Sequence, residues 1–409
     1  MCRLISCEFN KLIKNNKNKL VILLLIFYLA GFAVFYYYSD RNYISEKELE
    51  MRDQRYEAKN RILAINMMIK TREKYAAKDE FKYEFNPLEL ELLGIEEKTS
   101  LQLENYYKEY NPEKWRQLLQ IQIKKFENLL VLENNDFLPE EVLLARGQSP
   151  MELKKQIILN EYLLDKDIEP IESPYKLTGI NFLVKLLEGS SPMIIIILTV
   201  LLCIDIFTGE IEEGSYKLYL TQPFTRGKIF ASKIISILLF AIGTIFGLIL
   251  ITFLILSILN GVGSGSYPQT LAVKDVLFSM TSNADKLGDV TIVSSIYYIA
   301  LGYIILLILI IATVIISTSI SIKTNSISIT LGTITGILMI TFVLSSFIGE
   351  ESLINLIYPF SYLNIYSVLN AQINSSFLLG LLINITIGII LIMTSFQSFK
   401  KEDFLGGIG

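Results

Sequence analysis

The stretch TGEIEEGSYKLYLTQPFTRGKIFASK, residues 208–233, lies between two long apolar runs and is too polar to enter a bilayer core. Three carboxylates come first, Glu210, Glu212 and Glu213, followed by a Gly-Ser pair at Gly214 and Ser215. An apolar patch of Tyr216, Leu218, Tyr219 and Leu220 leads to a Pro-x-Thr-Arg turn at 223–226, with Pro223, Thr225 and Arg226, and then to Lys228 and Lys233. The next apolar run begins at once. This stretch reads as a docking loop on the cytoplasmic side, and the rest of the chain as the membrane machine attached to it.

Outward from the loop, composition supports that reading. A chain of 409 residues would form two or three soluble domains. Here 52% of the residues are hydrophobic, the mean hydropathy is +0.45, and the apolar residues come in uncharged blocks. Blocks of about 20 residues cross a hydrocarbon core of roughly 30 Å as helices. Spans are expected at 20–38, 192–207, 234–259, 292–320, 326–348 and 377–397. The expected fold class is an all-α polytopic membrane protein, with six transmembrane helices and a helical extracellular domain at 39–191. The first run is longer than a signal-peptide core and no small-x-small cleavage site follows, so it reads as an uncleaved span. Tyr36, Tyr37 and Tyr38 at its end suit an interfacial belt.

Residues 39–191 are dense in Glu, Lys, Asp, Arg and Tyr. Ile62, Ile65 and Ile69 share a helical face, as do Trp115, Leu118, Leu119, Phe126, Leu129 and Leu130. Amphipathic helices are expected at 45–80, 99–133 and 150–165, with breaks at Asn86-Pro87, Asn111-Pro112, Leu138-Pro139 and Ser149-Pro150. Two roles fit such a domain: a structural helical bundle, or a cap that gates or senses a substrate.

The remaining segments carry weaker signals. Residues 1–19 form a basic tail and 398–409 a second short tail. Asp205 reads either as a solvated acid at a helix end or as a buried partner of Arg226 or a loop lysine. Gly243 and Gly247, and Gly332 and Gly336, are GxxxG pairs expected at helix contacts. Ser317, Thr318, Ser319 and Ser321 favour close helix packing, with a polar translocation surface as the alternative. In the 260–291 linker, the glycines at 261, 263 and 265 lack the Gly-Lys-Ser/Thr of a nucleotide loop and read as a flexible connection. Residues 349–376 read as an extracellular or re-entrant segment broken at Pro359.

Several functions are excluded. The chain has no histidine, which removes Ser-His and Cys-His nucleophile pairs, zincin motifs and imidazole metal sites. The three cysteines, Cys2, Cys7 and Cys203, leave the polar domain without a disulfide. The spans hold no paired carboxylates and no Ser-Lys dyad, so no catalytic residue and no metal site is expected. No Walker A motif is present, and energy for uphill transport must come from elsewhere. The net charge of -4 is small, and no nucleic-acid partner is expected.

The loop resembles that of the ABC-2 family of membrane permeases, which pair with a separate ATPase. An acidic residue, a Gly-Ser or Gly-Thr pair, a leucine, a Pro-x-Ser/Thr-Arg turn and a lysine correspond here to Glu210 or Glu213, Gly214-Ser215, Leu218, Pro223 to Arg226, and Lys233. The resemblance implies a non-catalytic permease subunit in the cell membrane, working as a pair with a second copy or a related permease, and two ATPase subunits. ATP and Mg would bind in those partners, with no cofactor on this chain. It implies mostly export, of drugs, antimicrobial peptides, polysaccharides, lipids or sodium ions. The absence of a mid-span carboxylate favours an amphiphile or peptide over sodium. A membrane sensor is the alternative class, but the cytoplasmic parts are short for one. The basic residues of the tails, of the loop and of the 320–326 turn put both termini and the loop in the cytoplasm. Glu210, Glu212, Glu213, Gly214, Leu218, Pro223 and Arg226 are the expected coupling residues, with Glu210 to Leu220 forming a coupling helix.

Overall fold

A computed structural model describes residues 1–75, 86–146, 148–214, 224–271, 290–324, 326–347, 352, 354–370 and 377–401. The chain divides into two units, Met1–Ala33 with Leu177–Gly409, and Val34–Lys176.

In the first unit, α1 (Cys2–Lys14) precedes α2 (Asn16–Tyr75), whose start belongs here and whose remainder lies in the second unit. After Leu177 come α7 (Gly179–Lys185), α8 (Ser191–Cys203), α9 (Thr208–Glu212) and α10 (Arg226–Asn260). A two-stranded antiparallel ribbon, β1 (Pro268–Leu271) and β2 (Thr291–Ser294), pairs Pro268 with Ser294 and Leu271 with Thr291. Then follow α11 (Ser295–Lys323), α12 (Ile327–Phe347), α13 (Ile354–Ile357), a 3-10 turn (Pro359–Leu363), α14 (Ile365–Leu369) and α15 (Phe377–Lys401).

Among the described residues, five helices are long and apolar enough to cross a membrane: Asn16–Thr71, Ser191–Glu212, Arg226–Asn260, Ser295–Lys323 and Gly380–Lys400. A shorter apolar helix covers Ile327–Ile340. The protein is a mostly helical membrane protein. The other helices gather around α11, which touches α7, α8, α10, α12, α14 and α15. Its hydroxyl-rich end explains part of that packing. Thr318 and Ser319 donate to the carbonyl of Ile315 at 2.9 and 2.7 Å, and Ser395 of α15 donates to Ser319 at 2.7 Å. Small side chains that satisfy themselves on backbone let helices approach closely.

The second unit is a helical bundle of α2 with α3 (Pro87–Lys108), α4 (Trp115–Asn134), α5 (Glu140–Ala145) and α6 (Pro150–Asp165). Each expected break is visible as a helix start. Asn86, Asn111 and Ser149 accept from the backbone N–H of Leu88, Glu113 and Glu152, each just ahead of a proline in the first turn. Ile65, Leu93, Phe126, Leu129, Leu132, Leu143 and Leu153 form its core.

The fold departs from expectation in several places, the ribbon of β1 and β2 in a chain expected to be all-α among them. No boundary separates the first span from the amphipathic run at 45–80, because no glycine or proline follows Tyr38 in α2 and the sequence from Glu46 is rich in the helix formers Glu, Lys, Leu and Arg. Residues 76–80 of that run lie outside the described residues. The helix expected at 99–133 is two helices, divided at Asn111-Pro112. The basic tail is helical. The linker glycines are held: Gly179 and Ile180 donate to the carbonyls of Gly261 and Val262 at 3.1 and 2.9 Å, and Ile296 donates to that of Gly265 at 3.1 Å. Gly263 has φ +82, and a Cβ there would strike the Thr178 hydroxyl.

A buried lysine gives the second unit a testable pH dependence. Lys125 is fully buried and donates to Gln54 Oε1 at 2.5 Å and Ser100 Oγ at 2.8 Å. Burial pushes its pKa down to about 8, against the pull of Glu96 and Glu50 and with the push of Arg146 and Lys47. Between about 8 and the ordinary 10.5 the unfolded chain binds more protons than the folded one, so the stability of this unit rises with pH across that window. The full gain is on the order of 3 kcal/mol. The single tryptophan, Trp115, lies in this unit and reports its unfolding by fluorescence. Denaturation midpoints should rise from pH 7 to pH 9.5, and Lys125→Met should raise the pH 7 midpoint and flatten the trend.

Candidate functional site

The N-terminal helix organises the site. In α1, Leu4, Glu8 and Leu12 recur at helical spacing and are buried. This face packs on the start of α10. Phe9 meets Phe240 edge-on at 5.9 Å, and Ser236 donates to the carbonyl of Ile5 at 3.1 Å. Asn18 closes the end of the helix by donating to the carbonyl of Leu12 at 2.9 Å.

Burying this face also buries charge. The Lys233 side chain is 1% exposed. Its Nζ lies 2.6 Å from Glu210 Oε1 and 3.2 Å from Glu8 Oε2, and 5.8 Å from the centre of the Phe207 ring. Lys11 approaches the same Glu210 oxygen at 2.5 Å. Burial lowers the Lys11 pKa, but the hydrogen bond and charge of Glu210, with Glu8 and Glu213, outweigh it and hold it above the ordinary value. Lys11 therefore stays charged at neutral pH. Three segments distant in sequence, α1, α9 and α10, are joined through one carboxylate.

A second pair lies beside the first. Asp205 accepts from Lys17 Nζ at 2.5 Å and from Asn15 Nδ2 at 2.9 Å. The side chain of Asp205 is 12% exposed, so the buried-partner reading holds, but its partners are Asn15, between α1 and α2, and Lys17, in the first turn of α2, where the sequence suggests Arg226 or a loop lysine. Glu8, Lys11, Asn15, Asp205, Glu210 and Glu213 surround a cleft of about 50 Å³.

The chain between α8 and α9 is turned at 204–207, where the sequence predicts a span running straight into the loop. Ser321 of α11 satisfies this irregular backbone. Its hydroxyl lies 3.4 and 3.1 Å from the backbone nitrogens of Phe207 and Thr208, and 3.3 Å from the carbonyl of Ile204. Irregular backbone at the end of a span persists where protein groups satisfy it. Phe207 then packs on Phe230 and Phe399 at 6.1 and 5.5 Å, locking the turn to α10 and α15.

The expected loop residues separate into distinct roles. Glu210 is buried in the ion cluster. Glu212 is exposed, and its Oε1 accepts from the backbone N–H of Ile327 at 2.8 Å, at the start of α12. Glu213 and Gly214 are exposed, and Gly214 has φ +68, which ends the helix as glycine readily does. Arg226 donates to the carbonyl of Lys400 at 2.9 Å. Thr225 occupies the N-cap position of α10 with extended backbone, but its hydroxyl makes no cap hydrogen bond. Leu218 and Pro223, and the expected coupling helix beyond Gly214, lie outside the described residues. At Gly243, Gly247, Gly332 and Gly336 an added Cβ would meet nothing among the described residues within 4 Å beyond the backbone of its own helix. Among the described residues these positions are open rather than packed.

Sequence reasoning missed Glu8, Lys11, Asn15 and Lys17, because 1–19 was read only as a basic tail. The signal was the spacing of Leu4, Glu8 and Leu12 with Lys11 and Lys14 in the last turn. Lys233 reads from the sequence as the lysine of the loop motif, able with Arg226 to hold the loop to carboxylates or lipid phosphates, but nothing local marks it as buried.

The cluster makes a stability prediction. Removing one partner of a buried ion pair typically costs about 3–5 kcal/mol. Glu210→Gln removes the nearer carboxylate from Lys233 and should lower the thermal midpoint of the detergent-solubilised chain well below wild type. Lys233→Met should cost less, since Glu210 keeps Lys11. Glu213→Gln, an exposed change, should stay within about 0.5 kcal/mol of wild type. Equal effects of the Glu210 and Glu213 changes would contradict the geometry.

A family model described as ABC-2 family transporter protein matches residues 3–403. Comparison with curated proteins and with solved structures finds no match. Permeases of this family are transmembrane subunits without an ATPase domain of their own, and they work with a partner ATPase subunit. With the match spanning nearly the whole chain, the protein belongs to the ABC-2 family and is the membrane permease component of an ABC-2 type transporter.

Proposed function

We propose that this permease is the membrane half of an exporter, powered by two ATPase subunits that dock on residues 208–233, and that it acts as a pair of copies or with a related permease. The observation that carries the reading is the burial of Lys233 between Glu8 and Glu210. It fixes the start of the docking segment to α10, so a push on the segment reaches a span directly rather than being absorbed by a loose loop. Glu213 and Gly214 remain exposed at the end of α9, and the apolar patch of Tyr216, Leu218, Tyr219 and Leu220 follows them in sequence. A short apolar segment on such a braced base suits a cleft in an ATPase surface that moves on nucleotide binding.

Both termini and the docking segment are cytoplasmic in this reading, and 39–191 is outside. The basic residues support it: Lys11, Lys14, Lys17, Arg226, Lys228, Lys233, Lys323 and Lys400 all fall on one side, whereas 350–376 contains no Lys or Arg. The substrate class is an amphiphilic drug, an antimicrobial peptide or a lipid-like molecule. It is supported by the lack of a mid-span carboxylate, which an ion path usually carries. Sodium export is the alternative within the same architecture.

The test is purification of the tagged permease from its own cells in mild detergent, with co-purifying subunits identified and ATP hydrolysis assayed. A stoichiometric P-loop ATPase is expected. Replacing Leu218 and Leu220 by Asp should release it while leaving the chain folded. Arg226→Gln should retain the ATPase but lose at least half of substrate-dependent hydrolysis. Recovery of the permease without an ATPase in several detergents would overturn the proposal.

A further inference from the structure

The helix α1 has three faces. Leu4, Glu8 and Leu12 are buried against the protein. Arg3, Cys7, Asn10 and Lys14, spaced as one helical stripe, are polar or small and exposed, and make a basic flank. Between these two faces runs a third, apolar one, with Ile5 and Phe9 and the exposed Ile13, which is 46% accessible. Here α1 and α10 form an open groove of about 500 Å³ lined by Cys2, Ile5, Ser6, Phe9 and Leu239. Leu239, 54% exposed, is both a wall of the groove and part of a row of exposed apolar residues that continues along α10 through Leu250, Ile251 and Leu254. Along that row Gly243 and Gly247 present no side chain, and none of the described residues fills the space beside them. The groove is therefore continuous with the membrane-facing surface of a span, at the end nearest the ion cluster.

We propose that this groove binds one acyl chain of an anionic phospholipid. The chain would lie against Ile5, Phe9 and Leu239 and run toward Gly243, and its headgroup would lie on the basic flank that carries Arg3 and Lys14. Three observations select this occupant. The lining is almost wholly apolar and joins a membrane-facing surface, so acyl chains reach it without crossing water. An amphipathic helix with an exposed apolar face and basic residues beside it lies in the interface plane and favours anionic lipid. The adjacent, buried face of the same helix carries Glu8, which lies 3.2 Å from Lys233 Nζ. Filling the groove would hold α1 on α10 and so favour the paired state of the cluster, which makes the lipid a means of tuning the docking segment. The lipid site itself depends on neither the ATPase nor the leaflet assigned above. A failure of either reading leaves the other standing.

The experiment uses the full chain in nanodiscs of phosphatidylcholine containing a trace of phosphatidylglycerol with a photoreactive diazirine in one acyl chain. Illumination, digestion and mass spectrometry locate the adducts. Labelling within residues 2–9 and around Leu239 should exceed that at Ile389, an exposed residue of α15, by at least fivefold. Ser6→Trp, which fills the groove, should cut the first signal at least fivefold and leave the second unchanged. Leu239→Trp serves the same purpose if Ser6→Trp does not fold. Arg3→Gln with Lys14→Gln should lower labelling by this probe to that of a phosphatidylcholine probe. Even labelling across the three places, or labelling insensitive to both tryptophan variants, would overturn the site. No preference for the anionic probe in the wild type would overturn the headgroup assignment. Labelling that appears only after detergent separates a permease pair would place a second copy in the groove, and would also overturn the proposal.

Discussion

An ammonium group shielded from water needs a carboxylate, and Lys233 is almost wholly buried where α1, α9 and α10 meet. The unpaired charge would cost several kcal/mol, and its two acids come from opposite directions in sequence, Glu8 from the N-terminal helix and Glu210 from the segment after α8. Much of the local architecture follows from that requirement. The N-terminal helix must lie on α10 to deliver Glu8. The chain after α8 must turn to bring Glu210 inward, and Ser321 satisfies the backbone where it does so. Asp205, one turn before Glu210, is then brought beside Lys17.

The arrangement separates a rigid base from an exposed end. Glu210 is held by two lysines, whereas Glu213 and Gly214 are exposed only a few residues later. Force transmission through a loop requires such a division, because a segment free at both ends absorbs displacement. The same base reaches α12 through the Glu212 bond to Ile327 and reaches α15 through the packing of Phe207 on Phe399. One short segment thus touches the starts or ends of several helices of its unit. The proposed coupling role rests on this connectivity.

Membrane helices were legible in the sequence because hydrocarbon demands long uncharged runs, and that constraint leaves a mark at every span. The helix starts at Asn86, Asn111 and Ser149 were legible for a similar reason, since cap and proline chemistry is local. Family membership was legible in the loop motif. What escaped was the pairing of charges across the fold. The loop motif marks Lys233 and not Lys228, but that Lys233 is buried and Lys228 exposed follows only from the packing of α1. The ribbon of β1 and β2 also escaped, because a pair of four-residue strands carries little periodic signal. The glycine pairs read as packing motifs are open within this chain, and their spacing alone could not say which surface they serve.

The central claim is that the α1 to α10 ion pair carries force as well as stability. The most direct measurement is a double-mutant cycle of Glu8→Gln and Lys233→Met in the reconstituted permease–ATPase complex, with substrate-stimulated ATP hydrolysis and thermal midpoint both recorded. The account predicts that each single change reduces stimulation and that the double change is no worse than the poorer single one, because both break one link. Stimulation should fall even at temperatures where every variant is folded. Full stimulation in the double variant, or losses that merely follow the thermal midpoints and add, would show that the cluster holds the fold together without transmitting anything.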